Sequence, residues 1–254
     1  MIYIIGLGNP GKKYANTRHN TGFLMLEALK KQLSIINYQL SNKSKAPNFK
    51  LQKKLAVEIC KLDYLDEKII LIKPQTFMNK SGEAVKYAVE KHRLSALTPG
   101  DSIRATPGFL ANKPLVFTSG ESILPAAGCR PRGAQPTGRS GRFANKNNKT
   151  IEQFNNLFVV HDDLDLVLGE YKIQFGKGPR KHNGLLSIER ELKSQDFWRV
   201  RIGARGEYYE RIKLDGDKNI ADDYLLKPFG KEEKKALDQV LIEAGRELLE
   251  RVGN

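Results

Sequence analysis

Apolar positions along the 254-residue chain fall into short runs separated by polar, Gly-rich or Pro-marked turns, and their spacing alternates between two periods. Ile2 to Ile5 is a short apolar β-like run, and from Phe23 to about Lys31 the spacing becomes that of an amphipathic helix. After a polar stretch, Ser41 to Asn48, Leu51 to Leu62 alternates like a half-buried strand around Leu55, Val57 and Ile59. Ile69 to Ile72 is continuously apolar, as in a strand covered on both faces, and Pro74 stops it. Thr76-Phe77-Met78-Asn79 reads as a loop, and Ser81-Gly82-Glu83 opens a helix carried by Ala84, Val85, Ala88 and Val89. Leu157 to Val160 is a further buried-strand run, ending in His161-Asp162-Asp163-Leu164-Asp165. Glu170 to Phe175 predicts a strand, Gly176 to Gly184 a loop, Leu185 to Leu192 a helix, and Phe197 to Ile202 a strand containing Arg199 and Arg201. A loop region, Gly203 to Asn219, and Asp222-Asp223-Tyr224 precede a final helix from about Glu232 to Arg251. Strands alternating with helices predict an α/β fold: a single-domain three-layer sandwich with a mixed, mainly parallel sheet flanked by helices.

Residues 95–149 interrupt this pattern. Six of the chain's 11 prolines fall there, with dispersed glycines and neither period, so the stretch is expected to be a mobile insertion leaving the surface of one domain spanning 1–254. It carries eight basic and two acidic residues, and a second reading makes it an RNA-contacting arm using Arg130, Arg132, Arg139 and Arg142.

Charge narrows the partner. The net formal charge is +14 and the pI near 9.6, which favours a polyanion such as nucleic acid or an anionic membrane surface. Excluding 95–149 leaves +8, so the folded part is basic by itself. No apolar run approaches the roughly 20 residues of a membrane span, and no signal-peptide pattern opens the chain. Cys60 and Cys129 stand alone, which argues against a disulfide framework or a zinc site and for a reducing compartment.

The candidate chemistry begins in the first loop, Gly6-Leu7-Gly8-Asn9-Pro10-Gly11 through Thr17-Arg18-His19-Asn20. Its glycines satisfy G-x-G-x-x-G, but the helix is delayed about ten residues and no acidic residue ends the next strand, so a dinucleotide site fails its context. The glycines are expected instead to turn the backbone sharply under Asn9. Of four histidines, His92 belongs to the polar end of a helix, His161 to a buried strand, and His182 to a Gly-rich loop where either role is open. His19 lies among Thr17, Arg18 and Asn20 with no apolar periodicity to explain it, the setting of a proton-transfer group on a loop. The Asp162-Asp163-Asp165 cluster has three readings: a hard-cation site, an Asp that orients a catalytic imidazole, or solvated turn residues. Asn9, Asn20, Asn79 and Asn183, each in a loop after a strand, suggest a neutral hydrogen-bonding pocket suited to a peptide or ester.

Taken together, Gly6-Leu7-Gly8-Asn9-Pro10-Gly11, Tyr14, Thr17-Arg18-His19-Asn20, Thr76-Phe77-Met78-Asn79-x-Ser81-Gly82, His161-Asp162-Asp163-Leu164-Asp165, His182-Asn183-Gly184 and Arg201-Ile202-Gly203 closely resemble bacterial peptidyl-tRNA hydrolase. The resemblance covers the chain except 95–149. It implies a phosphorylase/hydrolase-like fold and hydrolysis of the peptide–tRNA ester, with His19 as base and Asp162 as its orienting carboxylate. Asn9, Tyr14, Met78, Asn79 and Asn183 would line the substrate site, and Arg201 would grip the tRNA 5′-phosphate. It implies no cofactor and no metal, a cytoplasmic monomer, and peptidyl-tRNA as the partner with neither membrane nor obligatory protein. A non-enzymatic RNA-binding relative of the splicing-factor kind is the alternative. Two departures stand out. Pro179-Arg180-Lys181 replaces small residues, often Gly, before His182, and a positive φ at Lys181 would cost about 1 kcal/mol or more. A Lys that partners the phosphate-gripping Arg aligns with Gln174, leaving Lys172 as its substitute.

Overall fold

The computed structural model describes residues 1–41, 47–95, 154–179, 181–213 and 220–253. Seven strands among them form one sheet: β1 (Ile2–Gly6), β2 (Lys50–Gln52), β3 (Val57–Tyr64), β4 (Glu67–Pro74), β5 (Leu157–Val167), β6 (Tyr171–Phe175) and β7 (Trp198–Arg205). Their order is β2-β3-β4-β1-β5-β7-β6. The central pairs β4–β1, β1–β5 and β5–β7 are parallel, and the edge pairs β2–β3, β3–β4 and β6–β7 are antiparallel. The mainly parallel character therefore belongs to the centre, where strands are covered on both faces and read as continuous apolar runs.

Helices α1 (Thr21–Ser41) and α6 (Lys231–Gly253) cover one face, packing Met25, Leu26, Leu29, Leu237, Leu241 and Leu248 against Ile4, Leu71, Val160 and Ile202. Helices α2 (Ser81–Ser95) and α3 (Asn183–Leu192) cover the other, packing Val85, Ala88, Leu185 and Ile188 against Ile5, Ile72 and Val159. Strand alternation does the sorting, and each fully buried Leu, Ile or Val contributes about 1.5–3 kcal/mol. The short helices α4 (Glu207–Lys213) and α5 (Ile220–Leu225) enclose a third cluster of Ala204, Tyr209, Tyr224 and Leu225. The result is the three-layer α/β sandwich that the alternating pattern predicts.

Several boundaries differ for physical reasons. α1 runs ten residues beyond Lys31 because Leu33 and Ile36 continue the stripe of Leu29 past Lys30-Lys31-Gln32. Leu51 to Leu62 is two strands: Lys53–Leu55 forms a 3₁₀ turn, Ala56 adopts a left-handed φ of 49°, and the chain reverses to pair Lys50 with Ile59. The acidic cluster does not follow a strand but lies within β5, which continues to Val167 through an irregularity after Asp163. The expected loop 203–219 contains the end of β7 and α4. Apart from Ser95, which closes α2, the expected insertion at 95–149 and its arginines lie outside the described residues, as does Cys129. Among the described residues no helix is long and apolar enough to cross a membrane.

Candidate active site

The loops after β1 and β4 converge with β5, at the carboxyl ends of parallel strands, where open α/β sheets bind ligands. Close backbone contact holds the first loop there. A Cβ on Gly6 would lie 2.4 Å from the Gly22 carbonyl oxygen, and one on Gly22 2.3 Å from the Leu7 nitrogen, so α1 begins directly against β1. Of the three glycines expected to turn the chain, only Gly11 has a positive φ, 107°. Gly6 and Gly8 instead admit α1, Gly8 meeting the ring of Phe23.

Asn20 then locks the loop across its width. Its Oδ1 accepts from the Asn9 amide at 2.8 Å, and its Nδ2 donates to the Asn9 carbonyl at 3.0 Å. With two buried partners satisfied, Asn20 is a structural member rather than part of a pocket wall. Asn9 in turn accepts from the Met78 amide at 3.0 Å through Oδ1, which leaves its Nδ2 as a donor without a partner among the described residues. Met78 is buried, its sulfur close to Gly184.

His19 sits in the 3₁₀ turn Arg18–Asn20 between these anchors. Its Nδ1 lies 3.0 and 3.1 Å from the two carboxylate oxygens of Asp162, on a strand 143 positions later. Asp162 is buried, and a second histidine shares its Oδ1: His182 Nε2 at 3.3 Å. His182 is also the N-cap of α3, with Nδ1 accepting from the Leu185 amide at 3.3 Å, which explains why the helix starts before Leu185. Because Nδ1 is an acceptor there, the proton of neutral His182 is on Nε2 and points at Asp162. Donation from His19 Nδ1 to the same carboxylate leaves the His19 Nε2 lone pair available.

The charges follow from this packing. Burial works to lift the Asp162 pKa, but the charge of His19 and hydrogen bonds from both His19 and His182 hold the carboxyl well below the usual range. Burial works to lower His19, yet the Asp162 charge and hydrogen bond, with a contribution from Asp222, leave its pKa raised above 6.5. His161 goes the opposite way: full burial and the neighbouring His182 push it down to about 3, so it is neutral. It donates from Nδ1 to the Asp162 carbonyl at 2.7 Å and packs edge-on against His182 at 4.9 Å, as a buried strand residue should.

Ligand atoms of His19, Asp162 and His182 lie within 4.8 Å of one another, a spacing compatible with a metal ion. The protonation argues against that use. His182 has its Nδ1 lone pair engaged by Leu185 and its Nε2 hydrogen directed at Asp162, so it offers no lone pair toward the cluster. The hydrogen-bonding pattern fits an oriented imidazole.

The adjacent carboxylate, Asp163, has a different partner. Arg201 donates from Nε to Asp163 Oδ2 at 2.6 Å and from Nη1 to Gln174 Oε1 at 2.8 Å, while Asp165 is 4.0 Å from Nη2. Lys172 is exposed and directly opposite Arg201 in the β6–β7 register. Lys181 is exposed and is not among the positive-φ residues, so the expected strain does not arise; Arg180 lies outside the described residues. No hydrogen bond among the described residues ties the side chains of Tyr14, Asn79 or Asn183 to the His19–Asp162 pair; Tyr14 lies under Lys13, and both asparagines are exposed. The sequence leaves the role of His182 open, its signals being the His182-Asn183-Gly184 motif and its place shortly before a helix.

A model of the family described as peptidyl-tRNA hydrolase matches residues 3–99 and 138–253. The unmatched part, 100–137, is narrower than 95–149, so the family pattern extends into that stretch from both sides. Curated relatives named peptidyl-tRNA hydrolase include one from Nitrosomonas europaea, 31% identical over 94% of this chain and 82% of its own length. One from Neisseria meningitidis is 29% identical over 94% and 83%. Among solved structures, the peptidyl-tRNA hydrolase of Acinetobacter baumannii aligns with a TM-score of 0.59 at 19% identity, covering 98% of this chain and 92% of its own, which supports the fold. The motifs and these matches agree, and the chain belongs to the peptidyl-tRNA hydrolase family.

Proposed function

We propose that this protein hydrolyses the ester between peptide and tRNA in peptidyl-tRNA, releasing free tRNA, with water activated by His19. The carrying observation is the His19–Asp162 contact at 3.0 Å, which orients the imidazole with its Nε2 lone pair unengaged. Nε2 takes a proton from water as the water oxygen bonds to the ester carbonyl carbon. Asp162 stabilises the imidazolium so formed, and the Asn9 Nδ2 donors stabilise the developing oxyanion. Collapse of the tetrahedral species breaks the bond to the ribose oxygen, which receives the proton back from His19. Met78, Asn79, Tyr14 and Asn183 supply the walls for peptide and tRNA 3′ end, and Arg201 with Lys172 the contact for tRNA phosphate. The protein acts in the cytoplasm as a monomer without cofactor, as a single domain that residues 95–149 interrupt.

Release of free tRNA from purified peptidyl-tRNA tests this. General-base catalysis is worth about 10²- to 10⁴-fold, so His19→Ala should lose at least about 10²-fold in kcat with unchanged circular dichroism. Wild-type protein that binds peptidyl-tRNA without releasing tRNA would leave only an RNA-binding role, and near-normal turnover by the variant would remove His19 as base.

A further inference from the structure

We infer that Arg18 is a positioning residue for His19, coupling the catalytic turn to the segment 224–233 that begins in α5 and ends in the first turn of α6. The inference rests on the proposed role of His19 as base.

Arg18 precedes His19 in the same 3₁₀ turn, yet its side chain leaves the site entirely and is 5% exposed. Nη1 donates to the carbonyls of Lys227 at 3.1 Å and Pro228 at 2.9 Å, and Nη2 donates to Glu233 Oε2 at 2.5 Å. The guanidinium carbon lies 4.1 Å from the ring centre of Tyr224 and 5.2 Å from that of Phe229, within cation–π range of both. The main chain makes the same connection: Arg18 N–H donates to the Lys227 carbonyl at 3.3 Å, Phe229 N–H to the Asn16 carbonyl at 3.2 Å, and Thr17 bridges to Pro228.

The receiving groups are themselves fixed. Glu233 Oε2 also accepts from the Gly230 amide at 2.7 Å, capping the start of α6, so the carboxylate that holds Arg18 is anchored to a 23-residue helix. Tyr224 is fully buried, accepting from Gly206 N–H and donating to the Ala204 carbonyl, each at 3.0 Å. On the other side, the Arg18 carbonyl accepts from Thr21 Oγ1 at 2.6 Å at the start of α1. A guanidinium spanning two carbonyls and a carboxylate between two rings is matched by its planar fork, which an ammonium cannot reproduce. Arg18 contacts neither Asp162 nor the water-activating nitrogen, so it can act only by holding the turn at the place and angle where His19 meets Asp162. An ångström of slack there would lengthen a 3.0 Å bond beyond use.

The test compares Arg18→Lys and Glu233→Gln with wild type, well below the melting temperature of each. Single-turnover release of tRNA from peptidyl-tRNA gives the rate, substrate dependence gives KM, and NMR titration of His19 reports its coupling to Asp162. Facing His19 are Asp162 from β5, His182 at the start of α3 and Asp222 from α5, all unchanged in both variants. Arg18→Lys should lower kcat about tenfold or more with KM within about twofold, and move the His19 titration to lower pH as the Asp162 contact loosens. Glu233→Gln keeps the cap and a hydrogen bond and should show the same pattern more weakly. A lowered melting temperature with unchanged kcat and unchanged His19 titration in both variants would make Arg18 a structural residue only and overturn the inference. A shifted titration in a protein whose wild type releases no tRNA would keep the positioning role and reject the hydrolase reading instead.

Discussion

Asp162 and Asp163 are neighbours on β5, both buried and both paired with a basic side chain, yet they prepare their partners for opposite behaviour. Alternation along the strand separates them: Val160 belongs to the face under α1 and α6, Val159 to the face under α2 and α3, and the two aspartates continue those parities. Asp162 holds an imidazole by one nitrogen, and the second nitrogen gains from that hold, because the carboxylate stabilises the charge it acquires on taking a proton. Asp163 holds a guanidinium whose Nε is engaged, while Gln174 engages Nη1. A phosphate arriving at Arg201 would therefore have to compete with Asp163, whereas in the proposed reaction a water at His19 would be assisted by Asp162. On the proposed mechanism, one side of this strand preorganises a base and the other restrains the guanidinium proposed to meet RNA.

The sharpest way to break the contrast is Asp162→Asn. The carboxamide keeps the volume but not the charge, so kcat should fall about 10²-fold or more with little change in KM for peptidyl-tRNA. The pH profile gives the sign independently. As the proposed base His19 acts when neutral, and Asp162 raises its pKa above 6.5, so wild-type activity should rise with pH through a midpoint above that value. Without the carboxylate, burial is opposed only by the smaller contribution of Asp222 and the midpoint moves to lower pH even as the plateau drops. Comparable loss of binding and rate would make Asp162 structural.

How far the sequence reaches is plain from the same residues. His19 is singled out by type and place on its loop, and the central strands by continuous apolar runs, because both signals are local; the pairing of His19 with Asp162 is implied by the family resemblance alone. The fate of three aspartates in one stretch is not, since it depends on which strand face each occupies and on a β5 that runs on to Val167. His182 stayed open because its two bonds, to Asp162 and to Leu185, are made by a fold that brings β5 and the start of α3 together. The receptacle of Arg18 is more than 200 positions away, and no local spacing encodes it. Leu51 to Leu62 misleads for the converse reason: the buried positions Val57, Ile59 and Leu62 belong to β3 alone, while the strand before it ends at Gln52 and a 3₁₀ turn closed by left-handed Ala56 reverses the chain.

Arg201→Gln tests the restrained side, with a smaller effect. If the guanidinium exchanges Asp163 for phosphate, KM should rise about three- to tenfold near physiological salt, kcat should hold, and the salt slope should fall by about 0.7–0.9. An unchanged slope would mean that Arg201 stays with Asp163 and serves β5–β7 pairing alone.

Gln174→Lys should have the smallest effect and the most informative signs. Gln174 accepts from Arg201 at 2.8 Å, and both face the same side of the β6–β7 pair as Lys172. A lysine removes that acceptor and adds a cation to a group that already holds Arg201, Lys172 and, directly opposite in the register, Arg199, with Asp163, the more distant Asp165 and the Glu189 paired with Arg199 to offset them. Self-repulsion lowers stability in the free protein, by about 0.5–1 kcal/mol for partly exposed charges. The same repulsion is relieved when a phosphate arrives, so KM for peptidyl-tRNA should fall about two- to fivefold and the salt slope should steepen by about 0.7–0.9, one additional ion released. Stability and affinity thus move in opposite directions, which loss of a hydrogen bond alone would not produce. Gln174→Met supplies that comparison: it removes the acceptor without adding charge and should lower stability while leaving the slope as it was. A lysine variant behaving like the methionine variant would show that tRNA phosphate does not reach this edge of the sheet.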